Sequence, residues 1–199
     1  MTPKRIGIIG KGHVGSALAR GLVRAGHSTK AIGNEPAKLR EVVDWAEIAM
    51  LAVPYTAIDG VVKSVGNSFQ NRILVDVTNA LGADMQWAIG FTTSGAEELQ
   101  KKVPKARVVK AFNTVFAQHM DSGRFGNQQL TAFVAGDDAG AKNDVLELAR
   151  NIGFDAVDAG PLNNARLLEA LGFLNIQLGY ALKMGTQSGF KYLHEQIAM

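Results

Sequence analysis

Three glycines carry the strongest chemical signal in the chain. Gly10, Gly12 and Gly15 stand in Ile6-Gly7-Ile8-Ile9-Gly10-Lys11-Gly12-His13-Val14-Gly15, a G-x-G-x-x-G spacing. The pattern alone is weak. Here an apolar run leads straight into it, and Val14, Leu18, Leu22 and Val23 follow at helical spacing. Strand, glycine turn and helix in that order form a dinucleotide fingerprint. The first glycine makes the tight turn, the second admits backbone N–H groups to a pyrophosphate, and the third packs helix on strand. Gly10, Lys11, Gly12, His13, Val14 and Gly15 are therefore expected to line the cofactor phosphates. The helix N-terminus supplies unpaired N–H groups and a partial positive charge. His13, in the first helical turn, could also donate to the cofactor or a substrate.

About twenty residues beyond such a turn, the end of the second strand reads the adenosine ribose. A carboxylate there marks NAD, whereas a polar or basic group accommodates a 2′-phosphate. This chain offers Gly33, Asn34, Glu35 and Lys38. Asn34 and Lys38 favour NADP(H), with Glu35 as the competing ribose acceptor. Tyr55, Asn79 and Asn113 each follow a predicted strand, at the end where open α/β sheets bind ligands. The two carboxamides could hold a nicotinamide amide or a substrate carbonyl, or cap turns. Tyr55 could cover a ring, supply a proton or pack. Asp76 is expected to make strand-end hydrogen bonds rather than act as a base. Gly26 reads as a left-handed helix cap and His27 as structural. His119 and His194 lack partners at ligand spacing, so no metal site is expected.

These residues need an α/β frame. Short apolar runs alternate with amphipathic segments, which predicts βαβ units and a mostly parallel, doubly wound sheet. Strands are expected at Arg5–Gly10, Thr29–Gly33, Ile48–Val53, Ile73–Asp76, Val108–Phe112 and Thr131–Ala135, with a weaker one at Ala156–Asp158. Helices fit at His13–Ala25, Thr56–Val65, Ser94–Lys102 and Asp137–Asn151, with a long last helix from about Leu162 to Lys183. Residues 34–47, fourteen in all, are too few for helix, strand and helix. One helix over Pro36–Ala46 then replaces the usual third strand, shortening the second crossover and truncating the sheet on the adenine side. Residues 1–160 are expected to form the dinucleotide-binding domain, and 161–199 a C-terminal helix and tail. That helix is apolar almost all round, with Leu167, Leu168, Leu171, Phe173, Leu174, Ile176, Leu178 and Tyr180. Gly172 and Gly179 would permit close approach of another helix, so a homodimer through this element is expected.

Composition narrows the class further. The 199 residues contain no Cys, which excludes disulfides, thiolate metal sites and cysteine nucleophiles. Gly accounts for 22 residues, about 11% against a usual ~7%. The first residues carry too short an apolar run for a signal peptide, and Glu169, Asn175 and Gln177 interrupt the longest low-charge stretch. No membrane association and a cytoplasmic location are expected. The net charge is only +3, and Lys101, Lys102, Lys105, Arg107 and Lys110 read as a solvated helix end and strand start, with an anion-binding patch as the alternative. No aromatic residues interleave them, so no nucleic-acid partner is expected.

With the glycine turn, Val53-Pro54-Tyr55, Asp76-Val77-Thr78-Asn79, Lys110-Ala111-Phe112-Asn113-Thr114 and Asp158-Ala159-Gly160-Pro161-Leu162 in place, the chain resembles the deazaflavin-dependent NADP reductase family. Its Rossmann part is also similar to pyrroline-5-carboxylate reductase and to the cytosolic domain of the six-transmembrane metalloreductases. The resemblance runs from about Arg5 to Met184. It implies NADP(H) lying across Lys11, Gly12, His13 and Val14, with Lys38 at the 2′-phosphate. The family's Ser-Arg pair falls here on Gly33 and Asn34. Val53, Pro54 and Tyr55 match the segment bordering the nicotinamide end, and Ala117 matches another cofactor contact. Where the family's reductase turns a His toward the deazaflavin, this chain has Asn113.

The expected activity is hydride transfer between NADP(H) and a second, flat redox ligand, a deazaflavin or flavin. Such transfer needs two reactive carbons held close and dry more than an acid or base. An NADP-responsive binding protein without turnover is the alternative from another class. An imine or ketone reductase is a third, and would need a proton donor such as Tyr55 or His13.

Overall fold

The computed structural model describes residues 2–33, 35–193 and 195. Nine strands and six α-helices alternate among them: β1 (Arg5–Ile9), α1 (His13–Arg24), β2 (Ser28–Ile32), α2 (Pro36–Trp45), β3 (Ile48–Leu51), α3 (Ile58–Val65), β4 (Ile73–Asp76), α4 (Gly95–Lys102), β5 (Arg107–Ala111), β6 (Arg124–Phe125), β7 (Gln128–Gln129), β8 (Thr131–Gly136), α5 (Ala139–Ile152), β9 (Asp155–Asp158) and α6 (Ala165–Ile176). Seven strands form one sheet in the order β2-β1-β3-β4-β5-β8-β9, and β6 and β7 form a separate small hairpin. All pairs in the large sheet are parallel except β5 with β8.

The apolar runs alternate between two covered faces, as a parallel sheet demands. Ile6 and Ile8 join Leu18 and Leu22 of α1 and Val145 and Leu148 of α5 on one face. Ile9 joins Leu39 and Val43 of α2, Val61 and Val65 of α3 and Leu99 of α4 on the other. The shortened crossover is present. α2 carries the chain from β2 directly to β3, on the far side of β1, and leaves β2 as the sheet edge. Gly7 allows this crossover to press close: a Cβ there would lie 3.0 Å from Val42 Cγ1 and 3.1 Å from Ala46 Cβ.

Gly26 closes α1 at φ +88°, as expected. His27 is buried, and its Nδ1 accepts from the Lys4 N–H at 3.2 Å. Burial lowers its pKa, with Lys4 adding to the effect and Glu147 opposing it. His194 lies outside the described residues.

The C-terminal segment differs from the single long helix expected. A short 3₁₀ turn (Leu162–Asn164) precedes α6, and a π-helical turn (Gln177–Ala181) follows it. Gly185, at φ +82°, then ends the segment by donating its N–H to Gly179 O. Gly172 and Gly179 serve packing within the chain rather than against another helix. A Cβ at Gly172 would lie 2.4 Å from Asn79 Oδ1, and one at Gly179 2.6 Å from Phe116 Cζ. The buried side of α6 carries Leu168, Glu169, Gly172 and Asn175, while Leu167 and Leu174 are exposed. No helix among the described residues is long and apolar enough to cross a membrane.

Candidate functional site

The three glycines of the turn do different work. Gly10 sits at φ +122°, and a Cβ there would lie 2.1 Å from Ala52 O of the loop after β3. A Cβ at Gly15 would lie 1.9 Å from Gly10 O. Both are required by the fold. Gly12 has φ −70° and ψ −172°, extended backbone open to any residue, and a Cβ on it would meet nothing within 4 Å. No packing or backbone strain in the protein itself requires a glycine there. Ser16 Oγ fixes the turn by donating to Lys11 O at 3.0 Å. No side chain caps α1 and no acidic residue occupies its first turn. Its first amides thus have the partial positive charge of an uncapped helix start, which suits an anion.

Two cavities flank the turn and share Lys11 and Gly12. The larger, of about 600 Å³, is walled by Gly10, Gly33, Leu39, Val53, Pro54 and Val61. This is the side of the β2 end, and its walls are mostly apolar. The smaller, of about 480 Å³, is walled by His13, Ser16, Arg20, Ala117 and Gln118. Val53 and Pro54 therefore stand beside Gly33, because the chain leaves β3 toward α3 on the same face as α2. Ala117 stands across the turn with His13. Val14 is half-buried against the core beneath α1. Tyr55 lines neither cavity. It borders a third, of about 140 Å³, with Asp59, Gly95 and Lys102. Desolvation raises the Tyr55 pKa, and the negative field of Glu169 adds to it.

At the β2 end, Lys38 Nζ lies 2.7 Å from Glu35 Oε2, both side chains exposed. Their hydrogen bond, with the charge behind it, lowers the Glu35 pKa and raises that of Lys38. Lys11 adds to the effect on Glu35 by its charge. Asn34 lies outside the described residues.

Asn79 and Asn113 are engaged chiefly with each other, and of their side-chain polar atoms only the buried Asn113 Oδ1 has no hydrogen-bond partner among the described residues. Asn113 Nδ2 donates to Asn79 Oδ1 at 2.9 Å and to Leu168 O at 2.8 Å, and Asn79 Nδ2 donates to Asn113 O at 3.0 Å. The two carboxamides thus brace the ends of β4 and β5 against α6. The turn after β5 passes through φ +67° at Phe112, a left-handed conformation unusual for a side chain of that bulk. It is held by burial among Phe154 and the surrounding core.

Beneath the brace lies a buried ionic group that sequence reasoning missed. Lys110, Asp76 and Glu169 are each at most 1% exposed. Lys110 Nζ lies 2.9 Å from Asp76 Oδ2, 2.9 Å from Glu169 Oε1 and 2.6 Å from Thr78 O. Burial opposes the ammonium, but the two carboxylates outweigh it and raise the Lys110 pKa. Glu169 also accepts the N–H groups of Gly95 and Ala96 at 2.9 and 3.2 Å, bridging α6 to the first turn of α4. Lys110 therefore does not belong to the solvated basic cluster. Lys101 and Lys102 do face water, paired with Glu98 and Asp59. The available signal was a lysine in the middle of Val108-Val109-Lys110-Ala111-Phe112, in register with Asp76 on the neighbouring strand. No group of His, Cys, Asp and Glu among the described residues could hold a metal ion.

The region holding the glycine turn and the β2 end, residues 5–44, matches the family described as NADP oxidoreductase, coenzyme F420-dependent. The F420-dependent NADP reductase of Methanothermobacter marburgensis is 30% identical over 146 residues, which is 69% of this chain and 65% of that protein. A structure from Arthrobacter sp. FB24, provisionally described as an F420-dependent NADP reductase, shares the fold at a TM-score of 0.86. It is 26% identical, and the match covers 96% of this chain and 100% of that one. The chain is similar to this family over its glycine turn and β2 end. The metalloreductase STEAP3 of Rattus norvegicus is 32% identical over 184 residues, 84% of this chain but 36% of that protein. This chain thus spans about a third of the length of the metalloreductases that it matches.

Proposed function

We propose that this chain is a member of that family, an NADP(H)-dependent oxidoreductase that passes a hydride between the nicotinamide and a second redox ligand, a deazaflavin or flavin. The observation that carries the reading is Gly12, an unobstructed position at an uncapped helix N-terminus with a cavity on either side. NADP(H) would supply the hydride chemistry. The first-turn amides of α1 hold the pyrophosphate, the larger cavity takes the adenosine, and the smaller, with His13 and Ala117, receives the nicotinamide end. Asn79 and Asn113 act as a scaffold beneath it. Tyr55 packs against α4.

The reading is tested by following NADPH oxidation with a deazaflavin, flavins, ferric chelates and cyclic imines as acceptors. Turnover with a deazaflavin or flavin is expected. Tight NADPH binding without turnover on any acceptor overturns it in favour of a nucleotide-responsive binding protein.

Cofactor preference follows from the β2 end. NADP(H) is expected to bind about ten- to a hundredfold more tightly than NAD(H), at 1.4 kcal/mol per tenfold. Lys38→Ala should narrow the gap while barely changing NAD(H) affinity, and added salt should narrow it too, because the contact is exposed and screened. Equal dissociation constants at low salt would assign the ribose to Glu35 instead.

A homodimer through α6 completes the proposal. Leu167, Leu174, Tyr180 and Leu182 are 66%, 49%, 64% and 66% exposed along this segment, more apolar surface than a lone helix usually leaves to water. Light scattering at micromolar concentration should read a dimer, and a monomer would refute it.

A further inference from the structure

The last described residue at the end of β2 before Glu35 is Gly33, and the structure shows what stands over it. A Cβ built on Gly33 would lie 3.8 Å from Lys11 Cδ and 3.9 Å from Lys11 Cβ. The aliphatic stem of Lys11 therefore runs from the glycine turn across Gly33, toward the ribose side of the larger cavity, which both residues line. Lys11 is exposed and makes no ion pair among the described residues. The other cation at this end, Lys38, is already matched by Glu35 at 2.7 Å. A phosphate arriving there must displace that carboxylate from direct contact with Lys38, whereas Lys11 feels Glu35 only through its charge.

We propose that the Lys11 ammonium is the principal reader of the 2′-phosphate, and so the residue that makes this chain prefer NADP(H). This rests on the dinucleotide reading above and adds a side-chain role to a residue whose backbone the turn already uses. The chemistry suits it. A phosphate monoester carries close to two negative charges near neutral pH, and lysine meets it as a mobile point charge without needing a preset fork. The stem passes within van der Waals reach of Gly33, which keeps the ammonium on this side of the turn.

The test is calorimetric titration of NADPH, NADH and the fragments 2′,5′-ADP and 5′-AMP into the wild-type chain, Lys11→Met and Lys38→Met at low salt. Methionine preserves most of the stem and removes the charge. For Lys11→Met, NADPH and 2′,5′-ADP are expected to weaken about tenfold or more, near 1.4 kcal/mol. NADH and 5′-AMP should stay within about twofold. Lys38→Met should cost NADPH less than Lys11→Met does. The inference is overturned if Lys11→Met leaves NADPH unchanged, or if Lys38→Met costs more. It is equally overturned if Lys11→Met weakens NADPH and NADH alike, which would place the ammonium on the pyrophosphate. A wild-type chain that binds none of the four overturns the dinucleotide reading, and this inference with it.

Discussion

Gly12→Val is expected to abolish measurable NADPH binding while leaving the fold intact. The backbone there is already in a conformation that valine adopts, and its Cβ would enter open space, so the stability change should stay within about 0.5 kcal/mol. The same side chain would fill the space where a pyrophosphate meets the first-turn amides. A loss of at least roughly a hundredfold in affinity, about 2.7 kcal/mol, is expected by calorimetry. Gly15→Val supplies the contrast, since its Cβ would drive into Gly10 O and the variant should fail to fold. Unchanged NADPH affinity in a folded Gly12→Val protein would sink the assignment of the turn.

The second large effect is on stability. Lys110→Met keeps the volume at the centre of the sheet but leaves two carboxylates buried without a counter-charge. Breaking a buried ion pair from one side costs about 3–5 kcal/mol. In a domain of this size that corresponds to roughly 6–20 °C in Tm, measured by calorimetry or circular dichroism. Glu169→Gln should cost less, because the remaining amide oxygen can still accept from one of Gly95 and Ala96 while Asp76 continues to pair with Lys110. The double variant should be less destabilised than the sum of the two singles, as expected for groups in one network. Strict additivity would mean that Lys110 and Glu169 do not act together.

The frame was legible because its signals are local. The glycine turn, the apolar runs of β1, β3 and β4 and the fourteen residues between Gly33 and Ile48 each specify their own structure, and the missing strand followed from counting. Ala117 and His13 also came together in one cavity. What stayed hidden depends on contacts between distant segments. Asn79 and Asn113 carry the right chemistry at the right strand ends, but their carboxamides are used on each other and on Leu168, fifty-five residues beyond Asn113. The apolar residues of α6 drew attention to its outer side, whereas its buried side is built from Glu169, Asn175 and Gly172. A polar residue in an apolar helix was read as a blemish in a hydrophobic surface. It is the tie that binds that helix to the sheet.

That tie also sets an order of events for a chain emerging from the ribosome. The glycine turn, its strand and its helix are complete within the first few dozen residues. Lys110 and Asp76 can pair once β5 has been made, but Glu169, which shares the ammonium and caps α4, arrives some sixty residues later. At about 5–20 residues per second, the interval is several seconds. During it Lys110 lacks its second carboxylate, and Asn113 lacks the Leu168 carbonyl that anchors it. The glycine turn is thus in place early, while the ends of β4 and β5 are braced only when the C-terminal helix docks.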